Sequence, residues 1–517
     1  MTTSLLPASP AAVLRRSGWK ILAVALLLFV ALYNLPNYPI TWFDEGSHLH
    51  VPKTLLRFGV YADYSSDGFR YYGPTIGVGP TVLLPIAGAF KLFGRGLLQA
   101  RLVIVLYLLA AVFVFFRLAR GMGDARLAWV ATALLVASNG VAFVEYGRQV
   151  LGEVPGLFFM AAGLWVWFTN WEKADWRRLG LAGLLFGLAT VTKNQYLLVL
   201  IPGLGLAWLT NLVYYRSAPQ RALILPGVIA VACYALWQGV LILSLGPATA
   251  RENLASLREA TAGAALVFSP DLMRRSIGEL LSTKVYLGLL IPALIYGFAL
   301  AWPRRREGQR WGILLGFVAA NLVWYVVASI SWLRYAFPGL VLGGLFVARL
   351  FADLTDGFQL NAAALWAALR QGTLASREAL RGLWLVWLAV LIVLPAAQIV
   401  KSVVRPDVNA PAAMAAYMDE HVPQGALVET WEPEMGFLTD HNYHYPPQLL
   451  LNKAIGFIWL NKPSPAEGYD FVQTQSPDYV LVGAFGLWVQ MYPADWLAAH
   501  YQLETAIGGY ELYALKK

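Results

Sequence analysis

Long apolar runs constrain the fold of this chain more than any other feature. The first run, Ile21 to Phe43, extends for 23 residues without a charged side chain, and a membrane-spanning helix needs about 20 apolar residues. Only 13% of the 517 residues are charged, whereas soluble proteins carry about 25%. We therefore predict an α-helical membrane protein of about eleven spans, at residues 21–43, 102–116, 127–144, 154–171, 179–192, 194–215, 222–250, 285–303, 311–333, 335–348 and 382–400.

The positions of lysine and arginine predict the orientation. Alternate loops are compact and basic, and the most basic of them is RRREGQR at 304–310. Because cytoplasmic loops carry an excess of Lys and Arg, these loops and the N-terminus, with Arg15 and Arg16, are expected inside the cell. No small-residue cleavage site follows the first run, so we interpret it as a retained signal anchor. The first outer loop is then 44–101.

The stretch from Pro74 to Gly94 is apolar but is not counted among the spans. Counting it would turn the basic loops outward, so we predict a helix that lies along the outer surface of the membrane. Lys91, Arg95 and Arg101 are then expected near the lipid headgroups. The outer position of the loop depends on this choice.

The composition changes near residue 401. Residues 401–517 contain 13 acids and six Lys or Arg, a net charge of −7, which leaves about +16 for the first 400 residues. Strand-like segments such as DYVLVGAF alternate with helical ones in this tail. We predict a transmembrane domain of residues 1–400 and an extracytoplasmic α/β domain of residues 401–517. The single cysteine, Cys233, allows no internal disulfide.

Charged side chains interrupt the apolar runs at junctions that all fall on the predicted outer face. A charge in the bilayer costs roughly 2.5–3.5 kcal/mol by insertion scales, and such residues tend to mark function. The pattern therefore predicts a polar cavity at the outer leaflet. The junctions contain Asp44 and Glu45; Glu145, Arg148 and Glu153; Lys193; and Arg334.

This combination of charges suits chemistry on a lipid-linked phosphate. The acids are suited to act as a general base and to bind a sugar or a metal, and the cations are suited to neutralise a phosphate. A lipid phosphate presents its charge at this depth, whereas nucleotide sugars are cytoplasmic. An activated group used on the outer face is therefore expected on a lipid carrier, and no nucleic acid partner is expected.

Each candidate also has a purely structural explanation. Asp44 and Glu45 fit the start of a surface helix at Gly46, where acids favour the helix dipole. Arg148 with Glu153 fits an interfacial ion pair.

The remaining candidates have comparable explanations. Lys193 fits a lysine that extends to the headgroups, and Arg334 fits an ordinary helix end. His48 and His50 would diverge by about 200° on a helix, so they form no joint metal face, and a polar surface histidine is the more ordinary interpretation of either.

FDEGSHL follows the first predicted span. It resembles the first-loop Asp-Glu motif of the glycosyltransferase C superfamily, and most closely that of bacterial relatives of protein O-mannosyltransferases and of the aminoarabinose transferases of lipid A. RYYGPTIGVGP, Arg70 to Pro80, occupies the place of the family's Pro-containing element, although Gly73 replaces the usual basic or proline residue before Pro74.

The later motifs follow the same order, and the resemblance covers roughly residues 15–350. Arg148 and the Glu153-Val154-Pro155 stretch match the second acidic motif, with Glu in place of Asp. Thr192-Lys193 matches the start of Thr-Lys-Gly-Pro, but Asn194-Gln195 follows. Arg334-Tyr335 and Pro338 match the late Arg-Tyr and Pro.

The resemblance implies an enzyme that moves a sugar from polyprenyl phosphate to a glycan, lipid or protein acceptor, with inversion at the anomeric carbon. It implies that Asp44 takes the acceptor proton and that Glu45 and Glu153 orient sugar hydroxyls, a divalent ion or the acceptor. No cofactor is otherwise expected, and Asp44 and Glu153 are the candidate ligands if a divalent cation is used.

The remaining implied roles concern binding and location. Lys193, with Arg148 or Arg334, would hold the departing phosphate, and His48 and Tyr335 are further candidates for substrate binding. Such an enzyme would lie in the bacterial plasma (inner) membrane, with its active site and C-terminal domain outside.

Two other functions fit parts of the pattern. A secondary transporter would also place charges among its spans, but it predicts repeats and sites near the midplane, whereas these charges lie at outer ends. A ligase or polymerase of lipid-linked glycans would share the chemistry and differ in donor size. The bulky loop 251–284, with Arg274 and Arg275, would then be a candidate contact for a larger donor.

Overall fold

A computed structural model describes residues 10–71, 77–169, 175–372 and 376–516 of the chain. Up to residue 404 the described residues are mostly helical, apart from a short antiparallel hairpin of β1 (Asp63–Ser65) and β2 (Gly68–Arg70). The helices are α1 (Pro10–Leu32), α2 (Phe43–Phe58), α3 (Pro80–Phe93), α4 (Leu97–Met122), α5 (Ala125–Ala137), α6 (Phe143–Tyr146), α7 (Glu153–Thr169), α8 (Trp176–Thr192), α9 (Leu197–Thr210), α10 (Gln220–Leu245), α11 (Pro247–Ala264), α12 (Pro270–Leu281), α13 (Leu290–Ala301), α14 (Arg306–Ala328), α15 (Phe337–Leu354), α16 (Ala362–Arg370) and α17 (Arg377–Val404).

Each predicted apolar run lies mainly on one helix of the structure, although some also reach into a second helix. The overlapping helices are α1, α4, α5, α7, α8, α9, α10, α13, α14, α15 and α17. Within the described ranges, six segments are long and apolar enough to cross a membrane, and several shorter apolar helices accompany them. The chain is therefore a helical membrane protein, while the number of eleven spans and their orientation stay predictions.

Helix α3 falls within the apolar stretch predicted to lie along the outer surface, and its position relative to the membrane stays a prediction. It packs against α2, α4 and α8, burying Val82, Ile86 and Phe90 while Leu92 remains exposed. It begins at Pro80, and the predicted start at Pro74 lies outside the described residues.

The headgroup positions predicted for the cations near α3 stay predictions for Lys91 and Arg95. Lys91 is exposed. Arg95 forms a bidentate ion pair with Asp440, with both distances 2.8 Å. The prediction for Arg101 is wrong, because its side chain is completely buried.

Small residues let the helices that carry the site approach closely. A Cβ atom added at Gly187 of α8 would lie 2.4 Å from Cβ of Cys233 on α10, and one at Gly183 would lie 2.7 Å from Cβ of Ile229. Glycine therefore sets the distance between α8 and α10, as small residues commonly do between membrane helices. This contact fixes the end of α8, where Lys193 follows.

The C-terminal region has the predicted mixture of strands and helices. Its sheet has the order β4-β3-β5-β7-β6, with β3 parallel to β4 and β5, and β7 antiparallel to β5 and β6. The strands are β3 (Leu427–Thr430), β4 (Asn442–His444), β5 (Tyr479–Val482), β6 (Tyr501–Ile507) and β7 (Tyr510–Leu515), and the helices are α18 (Ala410–His421), α19 (Pro433–Leu438), α20 (Leu450–Leu460), α21 (Phe471–Gln475), α22 (Ala484–Trp488) and α23 (Ala494–His500). The predicted boundary at 401 falls inside α17, which ends at Val404.

The C-terminal region packs on the segment 44–101, which the sequence predicts to be the first outer loop. Helix α19 contacts α2, and a Cβ atom at Gly46 of α2 would lie 2.2 Å from the backbone nitrogen of Glu434. His50 of α2 binds Asp63 through Nδ1 at 2.6 Å and the carbonyl oxygen of Pro433 through Nε2 at 2.7 Å. The helix that carries Asp44 is therefore held on one side by the C-terminal region.

Candidate active site

Four charged side chains from distant parts of the sequence meet in one place, and we call them the charge cluster: Asp44, Glu153, Lys193 and Arg334. Each lies where a helix begins or ends. Asp44 is in the first turn of α2, which begins at Phe43 and not at Gly46, and Glu153 is the first residue of α7. Lys193 follows the last residue of α8, and Arg334 lies in the short 3-10 turn 333–336 before α15.

Local contacts hold Lys193 in place. The backbone nitrogen of Gly79 donates to the carbonyl oxygen of Thr192 at 2.8 Å. A Cβ atom at Gly79 would lie 1.7 Å from the carbonyl oxygen of Val191, so only glycine permits this approach.

Asn321 of α14 holds the backbone beside Arg334 in place. Its Nδ2 donates to the carbonyl oxygen of Tyr335 at 3.1 Å, and its Oδ1 accepts from the nitrogen of Gly339 at 2.8 Å. These bonds fix the start of α15 and the turn that presents Arg334.

Charge-assisted hydrogen bonds join the cluster. Arg334 donates through Nη1 to Oδ2 of Asp44 and through Nε to Oε1 of Glu153, and Lys193 donates to the same Oε1 atom. Two acids thus face two cations, which offsets the cost of removing the charges from water. Glu153 and Arg334 are each 3% exposed and Lys193 is 11% exposed, whereas Asp44 is 29% exposed. Asp44 is therefore the member most open to a substrate.

Among the residues that the structure describes, one buried oxygen of the cluster has no hydrogen-bond partner. Oε2 of Glu153 is buried and accepts no hydrogen bond within the described part of the chain. An unpaired buried carboxylate oxygen is costly, so a substrate hydroxyl or amino group would gain a ready acceptor there.

Aromatic rings surround the guanidinium of Arg334. Its carbon Cζ lies 5.8 Å from the ring centre of Trp42, 5.7 Å from that of Tyr146 and 5.3 Å from that of Trp332. These cation–π contacts hold the guanidinium at one position. Tyr335, predicted to bind substrate, is half-buried beside the cluster, with its ring centre 6.1 Å from that of Trp332.

His48 also lies beside the charge cluster. Its Nδ1 donates to the carbonyl oxygen of Val150 at 2.7 Å. Burial lowers the pKa of His48 and outweighs the opposing charge of Asp44, so the ring is neutral at pH 7 and Nε2 is its acceptor nitrogen. The structure brings His48 together with the other candidates.

Glu45 does not face the cluster, and its expected role toward the substrate does not hold. Its side chain is completely buried and forms an ion pair with Arg101. Oε1 accepts from Nε of Arg101 at 2.9 Å and from the nitrogen of Val150 at 3.0 Å, and Oε2 accepts from Nη2 of Arg101 at 2.5 Å. Both oxygens are satisfied by the protein, so Glu45 is a positioning residue for α2.

The sequence analysis assigned Arg101 to the lipid headgroups and missed its role as the buried partner of Glu45. The available signal was Glu45 itself, because an acid beside an apolar run needs a buried cation, and Arg101 directly precedes the run at 102–116.

Arg148 is likewise outside the cluster, so its predicted contact with phosphate is wrong. It is completely buried and donates to the carbonyl oxygens of Val30, Tyr33 and Tyr38. The bonds to Tyr33 and Tyr38 measure 2.8 Å. Arg148 therefore fixes the chain after α1, and its alternative interpretation as a partner of Glu153 is wrong as well.

The cluster is a poor match for a divalent cation. The described residues include no group of three or more His, Cys, Asp or Glu side chains that is suited to a metal. Asp44 and Glu153, the two candidate ligands, already share the guanidinium of Arg334, so a metal would have to displace it.

The chain is similar in sequence to one protein family and in fold to several solved structures. A family model described as dolichyl-phosphate-mannose-protein mannosyltransferase matches residues 78–238, the segment that contains Glu153 and Lys193. No curated protein sequence matches the chain. Solved structures match almost all of it. Together these findings confirm the predicted resemblance to the glycosyltransferase C superfamily at the level of the fold.

Three solved structures illustrate the similarity. ArnT from Cupriavidus metallidurans bound to undecaprenyl phosphate has a TM-score of 0.63 at 16% identity, over 96% of this chain and 98% of that one. The archaeal oligosaccharyltransferase AglB from Archaeoglobus fulgidus has a TM-score of 0.59 at 15% identity, over 98% of this chain and 75% of that one. The arabinofuranosyltransferase AftD from Mycobacteria has a TM-score of 0.52 at 15% identity, over 97% of this chain and 40% of that one.

Proposed function

We propose that this protein is an integral-membrane glycosyltransferase that moves a sugar from a polyprenyl-phosphate donor to an acceptor outside the cytoplasm, with inversion at the anomeric carbon. The observation that carries the proposal is the charge cluster, in which a partly exposed Asp44 lies beside two buried cations. The undecaprenyl phosphate named with ArnT and the dolichol-phosphate named with AglB support a lipid-phosphate donor.

The reaction is a single displacement. The acceptor hydroxyl oxygen attacks the anomeric carbon, its proton passes to a carboxylate oxygen of Asp44, and the bond from the anomeric carbon to the phosphate oxygen breaks. General base catalysis of this kind contributes about 10²–10⁴-fold. The polyprenyl phosphate leaves with the electron pair of the broken bond.

Lys193 and Arg334 act on the leaving group. The phosphate gains negative charge as the bond breaks, so cations held beside it bind the transition state better than the ground state. The phosphate would share Arg334 with Asp44 and Glu153, which loosens Asp44 for proton transfer. Oε2 of Glu153 is available to accept a hydrogen bond from a sugar or acceptor hydroxyl. No step passes through a metal.

The proposed location is the bacterial plasma membrane, with the cluster and the C-terminal region outside. Labelling with an impermeant thiol reagent tests this orientation after Cys233 is replaced by alanine. A cysteine placed at Glu307 should be protected in intact cells, and one placed at Glu511 should react. The opposite pattern would overturn the orientation.

Two measurements test the function itself. Mass spectrometry of the lipids and glycans of a deletion strain should find one sugar missing from an envelope component, with its polyprenyl-phosphate form accumulated. Native mass spectrometry of the purified protein should show binding of undecaprenyl phosphate that Lys193→Ala weakens. Lys91→Ala, which removes an exposed lysine of the surface helix, is the matched control. Equal binding by all three proteins would contradict the proposal.

The alternative functions differ in their support. The glycosyltransferase C fold leaves the transporter interpretation without support. The likeness to an oligosaccharyltransferase keeps the donor size open between one sugar and a longer glycan, and the deletion strain separates these two outcomes.

A further inference from the structure

Four tryptophans form a continuous row that begins at the charge cluster. We call Trp42, Trp332, Trp459 and Trp488 the tryptophan row. The ring centres are 6.0 Å apart for Trp42 and Trp332, 6.3 Å for Trp332 and Trp459, and 6.5 Å for Trp459 and Trp488. Arg334 lies over the first two rings. The row therefore leads from the reacting groups toward the C-terminal region.

The row joins parts of the chain that are far apart in sequence. Trp42 precedes α2, Trp332 precedes the turn at 333–336, Trp459 belongs to α20 and Trp488 ends α22. Trp42, Trp332 and Trp459 are half-buried, and Trp488 is 49% exposed. These rings contact one another and still keep accessible surface, which is unusual for core residues and typical of a binding surface.

A second aromatic contact fixes the distance between the row and Asp44. Phe43, the residue before Asp44, packs against Phe485 of α22 with ring centres 4.0 Å apart. Phe485 also contacts Trp488 at 6.4 Å. The far end of the row is thereby attached to the first turn of α2.

We propose that the tryptophan row binds a saccharide portion of the acceptor and holds it with one hydroxyl within reach of Asp44. This inference rests on the proposed glycosyl transfer. A sugar ring has C–H faces that are apolar and edges that carry hydroxyls, and an indole offers an apolar face with one N–H donor at its edge. Rigid tryptophan rings lose little conformational entropy on binding.

The placement of the row favours a saccharide over a lipid or a peptide. Trp42 and Trp332 lie at the ends of predicted spans, where tryptophans that anchor a protein in the membrane form belts, but Trp459 and Trp488 belong to helices that pack on residues of the C-terminal sheet. Peptides commonly dock by adding a strand to a sheet edge, and the row contains no strand. The guanidinium of Arg275 lies 4.8 Å from the ring centre of Trp459, so an anionic group on the occupant would meet a cation there.

Photo-crosslinking in living cells tests the occupant directly. Trp488→p-benzoylphenylalanine places a reactive group at the exposed end of the row, and Leu503→p-benzoylphenylalanine is the control, because Leu503 is 55% exposed in the same region on β6. We expect mass spectrometry to find a periodate-sensitive saccharide adduct at position 488 and none at 503. Adducts at 488 that contain only phospholipid or only peptide would overturn the inference.

A binding measurement with purified full-length protein completes the test. The probe is an array of bacterial envelope saccharides and glycolipids, with peptides printed beside them. Trp488→Ala and Trp459→Ala should each weaken saccharide binding roughly tenfold, the loss expected for one well-packed aromatic contact, while Leu503→Ala binds as wild type. Saccharide binding equal to wild type in both tryptophan variants, or no saccharide binding by the wild type, would refute the inference.

The donor measurement separates this inference from the proposed function. Undecaprenyl phosphate binding should be unchanged in Trp488→Ala, because that residue lies at the opposite end of the row from Arg334. If the protein binds undecaprenyl phosphate through Lys193 but the row holds no saccharide, only the acceptor inference fails. If Lys193→Ala binds undecaprenyl phosphate as the wild type does, the proposed function fails first.

Discussion

Asp44→Asn is the most informative single substitution in this chain. The asparagine keeps the size of the side chain and an oxygen that can accept from Nη1 of Arg334, but it cannot take a proton from the acceptor. Arg334 retains Glu153 as a charged partner, and the side chain at position 44 is 29% exposed. We therefore expect the variant to insert and fold.

The expected loss follows from the two roles of Asp44. Removing the base should lower kcat at least about 10²-fold, which corresponds to about 2.7 kcal/mol on the barrier. The charge cluster changes from a net charge of zero, with two acids and two cations, to +1. The cluster should then attract an anionic phosphate at least as strongly, so KM for the donor should stay constant or fall.

The assay is a donor titration on purified protein in nanodiscs at equal folded amounts, with the lipid-linked sugar identified in the deletion strain. Glu145→Gln is the matched control, since Glu145 is an exposed acid near the cluster that should leave kcat near the wild-type value. A wild-type kcat for Asp44→Asn would refute the assignment of the base. A large rise in donor KM at constant kcat would instead place Asp44 at the phosphate.

Three further predictions concern separate parts of the structure. Lys193→Ala leaves the cluster with a net charge of −1, so KM for the donor should rise and kcat should fall. Lys193→Arg should recover only part of the loss, because the planar guanidinium of Arg is not equivalent to a compact ammonium. Wild-type kinetics in both variants would mean that the phosphate binds elsewhere. Arg101→Leu leaves Glu45 buried without a cation and should lower the free energy of unfolding by about 3–5 kcal/mol, which would be measured as a lower Tm. Adding Glu45→Gln to this variant should partly restore the Tm. An unchanged Tm in the single variant would contradict the role of the pair. Burial raises the pKa of Asp63, but the charges of Arg70 and His50 outweigh it and lower the pKa from 3.8 to about 2. The resulting stabilisation of about 2 kcal/mol is present above about pH 4 and is lost as the pH falls toward 2. The Tm of Asp63→Asn should therefore depend less on pH in this window than the Tm of the wild type, and parallel curves would be inconsistent with this assignment.

The helices and the position of the site were largely predictable from the sequence. Apolar runs report which segments avoid water, and charges that interrupt them are too costly to occur without a partner or a function. This reasoning located Asp44, Glu153, Lys193 and Arg334, which the structure brings into one cluster. Locating these four residues required only the composition of the chain and the spacing of its charges.

The division of roles among neighbouring residues was decided by the tertiary structure. Adjacent residues on a helix point about 100° apart, so Asp44 meets Arg334 while Glu45 turns inward to Arg101. No pattern in the sequence states which of two adjacent acids faces the core, because that depends on where α4 presents its buried arginine.

The same limit applies to Arg148 and to the tryptophan row. Sequence spacing placed Arg148 on the outer face, but it could not show that the carbonyl oxygens after α1 would surround its guanidinium. Trp42 and Trp488 are separated by most of the chain and join one row only because α22 packs on the first turn of α2. The sequence by itself determined which residues must avoid lipid. Tertiary packing decided which partner each of them contacts, because a buried charge or ring is positioned by residues that are distant along the chain.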